Sequence, residues 1–94
     1  MILVSIYSII FFLQFAESKI HNVSDAKQLK SALNSVAPGD TIQLADGNYN
    51  GFFVASKSGT KDAKITMIGS AKAVLSHTGY GFNLKGSYWL LKVS

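Results

Sequence analysis

The chain has no cysteine, no arginine, a single proline and a single glutamate among its 94 residues. Without cysteine there is neither a disulfide framework nor thiol chemistry. A secreted chain built this way relies on repetition rather than bridges to hold its fold. All of its basic charge comes from nine lysines, set against four aspartates and Glu17, for a formal charge of +4. An excess of this sign suits an acidic partner such as a uronate polysaccharide, a nucleic acid or a membrane surface. The lysines form no block, so the same charge also reads as ordinary solubility. Motifs that announce chemistry are missing as well. There is no EF-hand or D-x-D cluster for calcium, no glycine-rich phosphate loop and no nucleophile elbow. His21 and His77 stand alone, without metal-ligand spacing or a carboxylate nearby in sequence. Asp25, Asp40, Asp46 and Asp62 are too scattered to form a cage. Asp40 and Asp46 flank turns, where aspartate caps backbone amides. A length of 94 residues allows one small domain.

What is present begins with an apolar run, Ile2 to Phe15, interrupted by Ser5, Ser8 and Gln14. It has the length of a signal-peptide core and falls short of the roughly twenty residues of a membrane span. Ala16 and Ser18 place small residues where a signal peptidase cuts, so residues 1–18 are expected to leave as a signal peptide. Removing them takes Glu17 away and raises the charge to +5. An uncleaved anchor and a buried helix are the other readings of this run. Asn22-Val23-Ser24 matches a glycosylation acceptor.

The remainder, residues 19–94, alternates short apolar pieces with turn signals. Ser24 reads as a helix cap with Asp25 in the first turn. Ala26, Leu29, Ala32, Leu33 and Val36 share one face, and Lys27, Gln28, Lys30, Ser31 and Asn34 share the other. With Ser24 as the cap, Lys27 takes the place a capping box reserves for Glu or Gln. A helix of about twelve residues is marginal alone, so its apolar stripe is expected to plug the end of a core. That stripe is small and lacks aromatic residues, which fits a membrane-surface helix less well. Pro38-Gly39 ends the helix. Thr41–Leu44 alternates as a half-buried strand, Asp46-Gly47 marks a tight turn, and Asn48–Gly51 starts another short element. Further strand signals are Gly51–Ala55, Lys64–Ile68, Ala73–Ser76, Phe82–Lys85 and Tyr88–Val93, with a polar loop over residues 56–63 and a turn over residues 77–81. Ile42, Ile65 and Phe82 open comparable segments at intervals near twenty residues, in the range of solenoid repeats. From spacing alone a small antiparallel sandwich or barrel is equally compatible. Lys85-Gly86-Ser87-Tyr88-Trp89 reads either as a basic, aromatic platform for sugar or nucleic acid or as a turn whose rings stack on neighbouring strands.

Residues 20–94 resemble the N-terminal region of secreted right-handed parallel β-helix proteins. The pectin-lyase-like polysaccharide lyases of the alginate lyase and chondroitinase B type are particularly similar. The residues that carry the likeness are Ser24–Leu33, Pro38-Gly39-Asp40-Thr41-Ile42, Leu44-Ala45-Asp46-Gly47-Asn48-Tyr49, Ser58-Gly59-Thr60 before Ile65-Thr66, Ala73–Ser76 and Gly86-Ser87-Tyr88-Trp89. The resemblance implies an all-β solenoid with an N-terminal capping helix and about two coils of an incomplete domain. It also implies a parent that acts on uronate-containing polysaccharide by β-elimination. In that family a lysine base, an arginine and commonly calcium lie on later coils, so no catalytic, cofactor-binding or metal-binding residue is carried over to this chain. Calcium is expected only in a full-length relative. The implied partner of a full-length form is an anionic polysaccharide, with no nucleic acid and no stable membrane association once the signal is removed. A non-catalytic extracellular β-helix that binds carbohydrate or serves as structure is the alternative. Trp89–Val93 is expected to leave an apolar open edge, making residues 19–94 alone prone to aggregate.

Overall fold

The first ordered strand lies ahead of the helix, in a stretch with no strand signal of its own. In a computed structural model, which describes residues 18–76 and 81–93, β1 spans Ile20–Val23. It becomes a strand by pairing, since each residue from Ile20 to Val23 lies beside one from Thr41 to Leu44 in parallel register. Helix α1 follows, at Ala26–Ser35. Its cap is Asp25 rather than Ser24, with the Asp25 carboxylate accepting the Gln28 amide at 2.7 Å. That one-residue shift puts Gln28 at the third helical position, and its Oε1 accepts both the amide (2.8 Å) and the hydroxyl (3.0 Å) of Ser24. The cap thus lies one residue later than Ser24, and Gln28, unlike Lys27, can reach back across the start of the helix, where it holds Ser24.

Leu29, Ala32 and Leu33 are buried on the inner face of α1, and Val36 is buried where the helix ends. The chain then turns through Pro38-Gly39. Proline suits the first corner of such a turn and glycine the second, where φ is +89°. The Asp40 amide closes the turn by donating to the Ala37 carbonyl at 3.0 Å.

Among the described residues seven strands follow the helix: β2 (Thr41–Leu44), β3 (Gly47–Asn50), β4 (Phe53–Ala55), β5 (Ile65–Gly69), β6 (Ala73–Ser76), β7 (Phe82–Leu84) and β8 (Trp89–Val93). The chain visits three sheets in order and then returns to the first. The sheets are β1-β2-β5-β8, β3-β6 and β4-β7. Every one of these pairs is parallel, which excludes the antiparallel sandwich that spacing had left open. The register also corrects the repeat. Ile42 does lie on the same sheet as Ile65, but Phe82 stands beside Phe53 in another sheet. Equivalent positions recur 25 residues apart from Thr41 to Thr66 and 29 apart from Phe53 to Phe82. The loops absorb the difference. The turn expected at residues 77–81 lies outside the described residues except for Gly81.

Alternation decides what is inside. Ile42, Leu44, Tyr49, Phe53, Ala55, Ile65 and Met67 point inward and are buried, while Gln43, Asn48 and Asn50 point out. Tyr49 places a hydroxyl in the core, and its proton is shared between the carbonyls of Ala45 (2.6 Å) and Val23 (3.1 Å). Burial raises its pKa. The helix packs on β1, β3 and β4. On the side facing α1, β3 and β4 have no strand neighbour, so the helix stands in for the missing strands and covers the aromatic rings of Tyr49 and Phe53. Among the described residues the opposite end has no such cover. Leu84, Leu91 and Val93 continue the inward columns of Ala55, Met67 and Gly69, yet they are 43%, 52% and 77% exposed.

Candidate functional site

Two groups of polar residues organise the surface. The first centres on Asp40, at the start of β2. Its carboxylate is buried, and it accepts the Lys19 amide at 3.1 Å and the Ala37 amide at 3.0 Å. His21 Nε2 lies 2.9 Å away. Burial alone would push this carboxyl up, but the hydrogen bonds from His21, Ala37 and Lys19 outweigh it and hold the pKa below the usual 3.8. Asp40 thus ties the entry to β1, the end of α1 and the start of β2 to one another. The turn-capping role expected for it holds, and the structure adds His21. Nineteen residues separate the two in sequence, and the parallel β1–β2 pairing brings them together. No local pattern signals that contact.

Asp25 and Asp46 are engaged in the same structural way. Asp25 caps α1. Asp46 accepts a hydrogen bond from the Ser70 hydroxyl, joining two successive corners of the fold. Among the described residues no three His, Cys, Asp or Glu side chains come together as a metal site would require. Asp25, Asp40 and Asp46 each accept a hydrogen bond from a protein donor. His77 lies outside the described residues.

The second group lies where the loop after β4 runs beside the loop before β8. The backbones touch directly. Lys85 and Gly86 donate to the Ala55 carbonyl, and Gly59 donates to Ser87 at 2.9 Å. Ser87 donates to the Ser58 hydroxyl at 3.0 Å, and the Trp89 indole N–H donates to the Lys57 carbonyl at 2.7 Å. A side chain at Gly86 would collide with that same Lys57 carbonyl, so only glycine fits this approach. Trp89 packs its ring against the core and spends its N–H on the neighbouring loop. For Trp89, then, the platform reading gives way to the structural one. Tyr88 differs, being 50% exposed with a φ of +60°.

Shallow clefts complete the surface. One lies between Leu44, Met67, Gly69, Ala73, Leu91 and Val93, at the uncovered end of the core. Two others flank β1 and α1, lined in part by Asn22, Gln28 and Gln43. His21, Ser31 and Ser35 line one of them, where His21 Nε2 is held by Asp40 and the Ser35 hydroxyl donates to the Ser31 carbonyl. Asn22 sits in β1, the edge strand of its sheet, with its side chain exposed. Among the described residues no helix is long and apolar enough to cross a membrane.

No protein-family model matches the chain, and no curated protein matches it. A solved structure does: the crystal structure of alginate lyase from Paenibacillus sp. str. FPU-7, with a TM-score of 0.72 and 37% sequence identity. The match covers 78% of this chain and 27% of that one. The chain therefore has a polysaccharide lyase-like fold while spanning about a quarter of the length of the enzyme it matches.

Proposed function

We propose that this chain is the N-terminal part of a secreted polysaccharide lyase-like protein that acts on a uronate-containing polysaccharide. Residues 1–18 are its signal peptide, and residues 19–94 are the cap and first coils of a right-handed parallel β-helix. The observation that carries the reading is the 37% identity and 0.72 TM-score with an alginate lyase. The chain's path agrees with it, passing through three parallel sheets and returning to the first beneath a helix at one end. In β-elimination a base removes the proton α to the uronate carboxylate, and a positive group must neutralise that carboxylate for the proton to leave. Those groups belong to coils beyond this chain. The lysines here stand on loops and outer faces, and no pair of them converges on a cleft with an acid–base partner. The chain alone is therefore inactive.

The test is a longer form carrying further coils, incubated with alginate and with dermatan-type chains while the absorbance of the unsaturated product is followed. Absorbance should grow with the longer form and stay flat with this chain. A flat trace from the longer form on every uronate polymer overturns the lyase reading. The second reading, a non-catalytic β-helix that binds carbohydrate or serves as structure, draws support from His21, Asp25, Asp40 and Asp46, all engaged in hydrogen bonds within the fold.

A further inference from the structure

We infer that the paired loops around Tyr88 form a binding shelf for an acidic polysaccharide, a role that rests on the proposed uronate partner and gives it a place on this chain. Lys57, Lys61, Lys64 and Lys85 all lie on these two loops and are exposed. The only carboxylate among residues 56–64 and 85–88 is Asp62. The shelf is held at backbone level. The Gly59–Ser87, Ser87–Ser58 and Trp89–Lys57 hydrogen bonds clamp one loop to the other. On the β5 side the Ile65 amide donates to the Tyr88 carbonyl at 3.0 Å, which fixes Lys64 beside Tyr88.

Tyr88 is the described residue whose backbone the core does not explain. It is the one non-glycine among them with positive φ, a conformation disfavoured for a bulky side chain. Tyr88 is half exposed, on the same loop as Lys85 and paired by backbone next to Lys64, while Trp89 packs inward. Backbone strain of this kind persists where the surroundings impose it, and it marks candidate ligand clamps. Here the clamped loops impose it, and they carry an exposed aromatic residue together with four exposed lysines. A uronate chain offers matching chemistry, with carboxylates for the lysines and the apolar faces of sugar rings for the tyrosine. Nucleic acid offers phosphates and bases to the same groups, but Tyr88 is the single aromatic residue among residues 56–64 and 85–88 and gives no run of stacking platforms for successive bases, so the polysaccharide is the better match.

The test is affinity electrophoresis of the full chain at low micromolar concentration in gels containing alginate, polygalacturonate, neutral dextran or single-stranded DNA. Two variants accompany it. Tyr88→Asn removes the ring while keeping a residue that tolerates positive φ. Lys57→Gln/Lys64→Gln/Lys85→Gln removes three exposed charges that take no part in packing. Circular dichroism should show both variants folded as the parent is. The parent should be retarded by the two acidic polysaccharides and not by dextran. An aromatic contact and a set of exposed charge pairs each correspond to about a tenfold affinity change, so each variant should lose about that much. Parent retardation left intact in both variants overturns the shelf while leaving the polysaccharide partner standing. No retardation of the parent by either acidic polymer overturns both. Equal or stronger binding to DNA also overturns the shelf, by showing simple cation exchange or a nucleic-acid partner.

Discussion

At Asp40, a buried carboxylate holds three donors, two from the start of β1 and one from the turn after α1. Replacing it with Asn keeps the size but removes the charge that those donors face. Hydrogen bonds to a charged group are worth about 1.5–3 kcal/mol each way they are measured, and leaving a buried partner unsatisfied costs a similar amount. Asp40→Asn should therefore destabilise the fold by about 2 kcal/mol in urea denaturation near neutral pH. The pH dependence follows from the direction of the shift. The folded pKa lies below the unfolded value of 3.8, so the contribution is complete above that value and is lost as the pH falls through the folded pKa. Denaturation between pH 6 and pH 2 should show the parent losing stability in the acid range, with Asp40→Asn losing less. Parallel losses in the two proteins would count against Asp40 as the source. Tyr49 illustrates the same economy inside the core, where one hydroxyl serves the carbonyls of Ala45 and Val23.

Helix α1 is the element that seals one end of the core. It is ten residues long, too short to be stable alone, and depends on its caps and its buried face. Asp25→Ala should cost about 1 kcal/mol by removing the acceptor for the Gln28 amide. The expected readouts are a lower melting temperature and earlier loss of helical circular dichroism. Ser24→Ala should cost less, because Gln28 still reaches the Ser24 amide. Much of this element was legible in the sequence. The stripe from Leu29 to Val36 repeats at helical spacing, and Pro38-Gly39 gives an unmistakable end. The one-residue error at its start arose because both Ser24 and Asp25 are good caps, and only tertiary pairing of β1 decides where the strand stops. Strand β1 itself was illegible. Ile20-His21-Asn22-Val23 has no β-rich run, and it is extended because β2 offers it a parallel edge. Pairing partners were likewise hidden. Apolar alternation marks which face of a strand is buried, but it does not say which of several similar strands lies next to it. The Tyr88 shelf was visible in composition as Lys85-Gly86-Ser87-Tyr88-Trp89. Which of its two rings turns outward was settled only by the loop contacts.

For the whole molecule the two ends are unequal. At one end α1 covers Tyr49 and Phe53. At the other, among the described residues, the edges of β6, β7 and β8 are unpaired on the outer side, and Leu84, Leu91 and Val93 are open to water. Exposed apolar strands with free backbone groups recruit other strands. The chain by itself should therefore associate as its concentration rises, in sedimentation velocity at neutral pH. Leu91→Lys/Val93→Lys should shift it toward monomer by several-fold, since both residues lie on the uncovered face and neither is buried. A monomer at all concentrations in the parent would show that the end is tolerated as it stands.

The pairing distances carry one more consequence. Each strand finds its neighbour within about thirty residues along the chain, from 21 for Ile20 and Thr41 to 29 for Phe53 and Phe82. No strand waits for a distant segment before it can dock. The capped end comes first in the sequence, so a chain threaded through a membrane pore from its N-terminus would deliver the lid before the layers it covers. Each new layer could then settle on a finished surface while the next is still in transit. The order of emergence would be the order of assembly, and the open face would always be the most recent one.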